Sequence, residues 1–373
     1  MTKADPTERR LHVVLIGYAH GHGGIQTHCH WLAKGLSDRG HIVELLSPAP
    51  MTGQAASLPH RADYAIAEYR GWRDVWRLAR ARSGKSDAVV ITGTGWKAML
   101  LAFALRPTEK RVFFEVMSGE RSRRLDPRDL TRLGFDAIVG QGSGVERMFV
   151  RDFGWTGLSI VIPALPEPLE RISQVPIPPR LPQRPDGRLR LAYFSRLVPY
   201  KGAGFLIENW SRLADHAESL DIWGTGPAHD EFAAGIAEAG LGDVIRLRGR
   251  YPGGQAYVDL LQSYDMTLLP TWGKEGAPLV LLESMACGIP FVANGVGGIP
   301  DYANPWCEVT GGDVADFLPL YDRLAKRIRS GELDTAALQA HYSDNFRFER
   351  LIERWEAFLR APLADSIRKR PLS

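Results

Sequence analysis

Cysteine is scarce in this 373-residue chain: Cys29, Cys287 and Cys307 are the only three, and no two form a C-x-x-C pair. That excludes a disulfide framework and a thiolate zinc site, and it fits a reducing compartment. No uncharged run approaches the roughly 20 residues needed to span a bilayer. The opening "MTKADPTERR" lacks the apolar stretch of a signal peptide, so the expected location is cytoplasmic. Tandem repeats and low-complexity tracts are missing. So are the modules and stacking-aromatic motifs of nucleic-acid binders, and no nucleic-acid partner is expected. A net charge of +3 is small, but it divides unevenly. Residues 1–165 hold 23 Lys/Arg against 16 Asp/Glu, whereas the remainder holds 23 against 27. A basic first half and an acidic second half fit different partners.

What is present is enough chain for two domains. Between them, residues 163–187 carry eight prolines. Proline fixes φ and removes a donor, which predicts a semi-rigid extended connector outside any core. Before it, "LHVVLI", "HIVELLS", "AVVIT", "RVFFEVM", "AIVGQ" and "SIVIP" read as short buried strands alternating with helical segments. After it the pattern restarts with "LRLAYFS", "LDIWG", "IRLRG", "MTLLP" and "PFVAN", with helices near 202–214, 228–239, 255–263 and 278–287. A late amphipathic helix is expected over 343–361. The fold class is α/β: two Rossmann-like domains facing each other across a cleft. The divisions are 1–165, a linker 166–187, a second domain 188–342, and a C-terminal helix and tail 343–373.

In the second half, each turn after a strand holds useful chemistry. Arg196 and Lys201 follow the first strand, and two cations five residues apart suit a diphosphate. Gly224 and Gly226 stand where the next strand ends, in a turn that needs positive φ or a close backbone approach. Arg250 and Tyr251 follow the third strand. Then comes "KEGAPLVLLESMACG", in which Gly276, Ala277 and Pro278 lead into a helix start. Unpaired N–H groups and the helix dipole favour an anion there. Glu275 precedes that helix and Glu283 lies more than one turn inside it.

This ordered set, with "MACGIPFVANGVGGIPD", resembles the nucleotide-sugar domain of glycosyltransferase family 4, retaining enzymes of the GT-B fold. The resemblance implies that Arg196 and Lys201 hold the donor pyrophosphate and that Glu283 binds ribose hydroxyls. It implies that Glu275 binds the sugar and that Arg250 and Tyr251 meet the base. It implies that backbone amides around Ala277–Val280 support sugar and phosphates, with Gly276, Ala277, Pro278, Leu279 and Val280 as donor-binding candidates. Arg196, Lys201 and Glu275 become the catalytic candidates, with no protein nucleophile, no cofactor and no metal required. A C-terminal helix returning to the first domain also follows from the resemblance.

The first half resembles the family more loosely. "GYAHGHGGIQTH" offers Gly21 and Gly23 to a dinucleotide fingerprint, but position 26 is Gln, which weakens a dehydrogenase reading. By resemblance Gly23 and Gly24 lie against donor phosphates or acceptor. His20, His22, His28 and His30 complete no recognisable metal spacing and are expected as loop and surface residues. Family members often carry a histidine after the strand matched by "RVFFEVM"; here the loop reads "EVMSGE", leaving Ser118 and Glu120 as acceptor-side candidates. Two basic segments stand out: Arg73, Arg77 and Arg80 on one helical face, and Arg121, Arg123, Arg124, Arg128 and Arg132 in "GERSRRLDPRDLTR". They are candidates for contact with anionic lipid or with a lipid-linked, diphosphate-bearing acceptor. The expected function is transfer of a sugar from a nucleoside-diphosphate sugar to a glycan or lipid-linked saccharide in cell-surface polysaccharide synthesis. The alternatives are an epimerase or phosphorylase of the same fold, or a sugar-nucleotide-binding protein without catalysis.

Overall fold

A computed structural model describes residues 9–363 apart from 22, 51–62, 85, 94, 105–109, 173–174 and 177–186. It divides into two compact units, Met1–Glu167 with Phe348–Ser373, and Pro168–Arg347. Among the described residues, no helix is long and apolar enough to cross a membrane.

The first unit runs β1 (His12–Ile16), α1 (Gly24–Asp38), β2 (Ile42–Pro48), β3 (Ala65–Tyr69), α2 (Trp72–Ser83), β4 (Ala88–Ile91), α3 (Trp96–Ala104), β5 (Lys110–Glu115), α4 (Thr131–Gly134), β6 (Ala137–Gly140), α5 (Ser143–Phe153) and β7 (Leu158–Val161). All strand pairs are parallel, in the order β3-β2-β1-β4-β5-β6-β7. Strands buried on both faces are continuous apolar runs, which is why β1, β4, β5 and β6 are legible as Val/Ile/Phe-rich segments. Edge strand β3, "AIAEY", is only half buried and lacks that signature.

The second unit runs α6 (Leu169–Ile172), β8 (Leu189–Phe194), α7 (Ala203–Glu208), α8 (Trp210–Leu213), β9 (Ala217–Trp223), α9 (His229–Glu238), β10 (Ile245–Gly249), α10 (Gln255–Leu261), β11 (Met266–Leu269), α11 (Leu279–Ala286), β12 (Phe291–Ala293), β13 (Glu308–Val309), α12 (Phe317–Arg329) and α13 (Thr335–Asn345). Its parallel sheet has the order β10-β9-β8-β11-β12-β13. The chain winds outward from β8 through β9 to β10, then restarts on the other side at β11. That reversal puts a switch point between β8 and β11, where open α/β sheets bind ligands beyond their carboxyl ends.

Two boundaries differ from expectation. The proline-rich connector is not wholly outside the core: Leu169 is fully buried, and α6 packs against α10 and α11. Proline at a helix start lacks only an N–H that has no partner there anyway, so Pro168 can open this turn. The late helix starts at Phe348, not 343; residues 343–345 end α13, where the Asn345 side chain donates to the His341 carbonyl at 2.9 Å.

That last helix, α14 (Phe348–Arg360), belongs to the first unit. Trp355 is fully buried, with its ring 5.5 Å from Phe114 and 5.9 Å from His28. The Lys110 ammonium donates to the carbonyls of Phe358 and Ala361, and Arg360 donates to the Arg9 carbonyl at 2.6 Å. Gly35 on α1 permits the close approach: a Cβ there would meet Ile352 at 2.4 Å.

His28 and His30 are core residues, not the loop or surface residues expected. His30 pairs with the Tyr64 hydroxyl at 2.8 Å. His28 stacks on Phe114 at 4.1 Å and accepts from the Leu165 amide at 3.1 Å, and burial pushes its pKa down to about 3. A lowered folded-state pKa means the unfolded chain takes up the proton first. His28's contribution is therefore complete above the ordinary imidazole pKa and is lost as pH falls toward 3. In urea titrations, the stability advantage of the wild type over His28→Phe should shrink by about 2 kcal/mol between pH 7 and pH 5. A pH-independent difference would contradict the buried neutral imidazole.

Candidate donor-binding site

Every candidate in the second unit lies in a loop or helix start following the carboxyl end of a strand, or on the helix that follows. Arg196 and Lys201 come after β8, Gly224 and Gly226 after β9, Arg250 and Tyr251 after β10, and Glu275 after β11. Parallel pairing puts these ends on one edge of the sheet.

Backbone contact holds the loops together. The Ser195 amide donates to the Trp223 carbonyl at 3.1 Å, and the Leu197 amide to the Thr225 carbonyl at 3.0 Å. At Gly224, φ is +135° and a Cβ would lie 1.8 Å from the Ser195 carbonyl oxygen. At Gly226 it would lie 2.2 Å from that of Leu197. These two glycines thus fit the β9 turn against the loop that carries Arg196, a backbone role in addition to any ligand contact. The β11 loop is tied in likewise: the Trp272 amide and the Thr271 hydroxyl both donate to the Tyr200 carbonyl, at 3.0 and 3.1 Å.

This bracing puts Lys201 against Glu275, where the ammonium and a carboxylate oxygen form a direct ion pair. The other Glu275 oxygen accepts the Gly276 amide at 3.1 Å. Both side chains are largely buried. Arg196 is exposed and donates to the Tyr200 hydroxyl at 3.3 Å. Gly276 and Ala277 are buried, Pro278 caps α11, and Leu279 and Val280 form its first turn. Gly297, at φ +60°, would drive a Cβ to 2.1 Å from the Glu275 carbonyl, so the loop after β12 locks this segment from behind.

Glu283 is buried one turn into α11 and accepts from the Tyr257 hydroxyl at 2.9 Å. Burial, then the Glu283 charge, push the Tyr257 phenol well above its ordinary pKa, so it remains a donor. Tyr251 is 40% exposed and stacks on Tyr257 at 5.0 Å. It also meets Phe194 edge-on at 5.3 Å. Tyr251 and Glu283 are therefore linked through Tyr257, a connection not visible in the sequence because a tyrosine in "QAYVDLL" reads as core. Arg250 is exposed beside them.

The first-unit candidates have a different character. Gly23 precedes α1 with φ +152°, its carbonyl accepting from the Thr27 amide at 3.0 Å; Gly23 and Gly24 are both exposed. Ser118 is buried, and its hydroxyl accepts from the Glu120 amide at 3.4 Å. Arg121 does not stand free for an anion. Its guanidinium forks onto Asp129, at 2.6 Å for one arm, and donates to the Asp152 carbonyl at 3.0 Å. Arg128, expected on the basic surface, is buried between Glu115 at 3.0 Å and Asp126 at 2.8 Å. Burial alone would raise the Asp126 pKa, but hydrogen bonds from Arg128 and the Ser122 amide hold it well below the carboxylate range. Its removal of lone charge explains why "DPRD" folds inward: a buried guanidinium needs paired acids. Among the described residues, no group of three His, Cys, Asp or Glu is placed to hold a metal ion.

Against known proteins, residues 188–325 match the family model described as Glycosyl transferases group 1. The chain is 32% identical over 120 residues to the amylovoran biosynthesis glycosyltransferase AmsK of Erwinia amylovora, covering 30% of this chain and 29% of that one. It is 32% identical over 180 residues to N-acetyl-alpha-D-glucosaminyl L-malate synthase of Bacillus anthracis, covering 47% and 46%. The chain thus spans less than half the length of these curated relatives. Among solved structures, Anabaena HepE in complex with UDP-glucose superposes with a TM-score of 0.73 at 16% identity, over 94% of this chain and 99% of that one. A Thermosynechococcus elongatus sucrose-phosphate synthase gives 0.74 at 15% identity, over 94% and 98%. The fold is GT-B, built from two Rossmann-like units. Within the second unit, residues 188–325 carry the match to the glycosyl transferases group 1 model, in keeping with the resemblance to glycosyltransferase family 4 read from the sequence.

Gly224→Ala should lower stability by at least ~2 kcal/mol, since it adds a backbone clash to a left-handed φ. Gly240→Ala, where φ is +64° but nothing lies within 4 Å, should cost about half as much. Equal thermal shifts for the two variants would argue against the loop-to-loop contact.

Proposed function

We propose that this protein is a retaining glycosyltransferase that moves a sugar from a nucleoside-diphosphate sugar to a glycan or lipid-linked saccharide, in cell-surface polysaccharide synthesis at a membrane surface. The observation that carries the reading is the Lys201–Glu275 pair, set beyond the carboxyl ends of β8 and β11, with Arg196 on the same loop as Lys201 and α11 starting just after Glu275.

On this reading the donor diphosphate takes Lys201 from Glu275. The ammonium and the Arg196 fork then neutralise charge on the leaving phosphates, while Glu275 is released to accept hydrogen bonds from sugar hydroxyls. Glu283, held by Tyr257, receives the ribose hydroxyls, and Tyr251 with Arg250 faces the base. The bond from the anomeric carbon to the diphosphate breaks as the acceptor hydroxyl bonds to that carbon on the same face. The acceptor proton passes to the departing phosphate oxygen. No protein nucleophile, cofactor or metal is assigned: fixed cations and oriented amides stabilise the developing charge without reorganising. The complexes of HepE with UDP and UDP-glucose support a nucleotide-sugar donor in this fold. The polysaccharide assignment draws on the amylovoran enzyme and on a putative colanic acid biosynthesis glycosyltransferase, WcaL of Escherichia coli, 31% identical over 130 residues.

Thermal-shift screening against UDP, GDP, ADP and their sugars should select one base. Lys201→Ala should then lower kcat by about 10²–10³, the equivalent of losing one oxyanion donor, while the protein stays folded. Near-wild-type turnover in a folded Lys201→Ala variant, or no response to any nucleotide, would overturn the reading.

A further inference from the structure

Helices that cover a parallel sheet normally turn their large apolar residues inward and their charges outward. On the first unit, α3 does otherwise. Met99 and Leu101 are buried, yet Trp96, Leu100 and Phe103, spaced as one helical stripe, are 47%, 39% and 40% exposed. Helix α2 packs beside α3 and repeats the anomaly. Its Val75 is buried, but Trp72 and Trp76, one turn apart, are 40% and 44% exposed. Helix α3 also packs against α4, where Leu133 is 58% exposed. Neighbouring helices thus present large apolar side chains to solvent, the kind of surface that marks an interaction site.

Among the described residues, the charges on α2, α3 and α4 are basic apart from Asp74. Arg73, Arg77 and Arg80 form an exposed stripe on α2 next to the tryptophans, and Lys97 and Arg132 are exposed beside Trp96 and Leu133. The acid on α2, Asp74, faces Arg77 at 3.4 Å. A tryptophan, phenylalanine and leucine surface bordered by arginines matches the layered chemistry of a bilayer boundary, with apolar groups entering the acyl region and guanidinium groups meeting lipid phosphates. A second copy of the chain fits poorly, because a two-fold interface would set these arginines against one another.

We infer that the exposed faces of α2 and α3 seat this protein on an anionic bilayer, with Trp72, Trp76, Trp96, Leu100 and Phe103 as the inserted groups and Arg73, Arg77 and Arg80 as the phosphate contacts. The inference deepens the membrane-linked acceptor proposed above and rests on that reading for its purpose, but it has its own readout.

The test is flotation of the full chain with phosphatidylcholine vesicles, with and without phosphatidylglycerol, alongside nucleotide thermal shift on the same samples. The wild type should float only with the anionic vesicles, less so at high salt, and its tryptophan emission should shift to the blue on binding. Changing Arg73, Arg77 and Arg80 together to Gln should weaken partitioning about a hundredfold. The paired Trp72→Ser and Trp76→Ser variant should lose the blue shift and most binding, with its melting temperature and nucleotide response unchanged. Folded variants that float like the wild type, or a wild type that responds to nucleotide but never floats, would overturn the inference and leave the proposed transfer intact. A wild-type dimer in light scattering that the tryptophan variant dissociates would overturn it in favour of self-association. Flotation without any nucleotide response would uphold it and sink the transferase reading instead.

Discussion

Lys201 faces Glu275 in a pocket of backbone made by three loops that touch main chain to main chain. A largely buried ion pair is a weak source of stability, since taking both charges out of water offsets most of their attraction. What it supplies here is placement. The ammonium is fixed by its carboxylate partner, and that carboxylate is itself oriented by the Gly276 amide. Gly224, Gly226 and Gly297 admit this closeness because no side chain fits between the loops. The glycines that look like ligand contacts in the sequence are, first of all, the means by which the loops interlock.

Around that pair the sheet order does the remaining work. Because β8 is flanked by β9 and β11, residues 196 to 201, 224 to 226 and 270 to 283 converge although they are far apart in the chain. The Phe194, Tyr251, Tyr257 and Glu283 chain of contacts extends the arrangement toward β10, giving an aromatic platform next to a buried carboxylate. The arrangement runs from the Lys201–Glu275 pair to the aromatic contacts of Tyr251.

Much of this was legible beforehand, for physical reasons. Doubly buried strands such as "AVVI" and "LRLAYF" announce themselves by composition, and loop residues after strands are readable once the strands are placed. Half-buried β3 carried no such signal, and α3 is apolar on its outward stripe as well as its inward one, so periodicity could not mark it as a surface helix. The Tyr257–Glu283 bond and the Glu115–Arg128–Asp126 cluster join residues whose partners only the fold brings near. Arg128 shows the limit plainly: in a run of arginines nothing local distinguishes the one that two buried acids will claim. His28 makes the same point, because its burial depends on Trp355, 327 residues later, on a helix that crosses back to the first unit.

The central claim is that a sugar's diphosphate binds beyond the carboxyl ends of β8 and β11 and displaces Glu275 from Lys201. A crystal structure with the nucleotide sugar selected by thermal shift tests this most directly. The account predicts phosphate oxygens within hydrogen-bond distance of Arg196 and Lys201, the ribose on Glu283, and the Lys201–Glu275 pair opened. A diphosphate bound elsewhere, with that pair still closed, would contradict it.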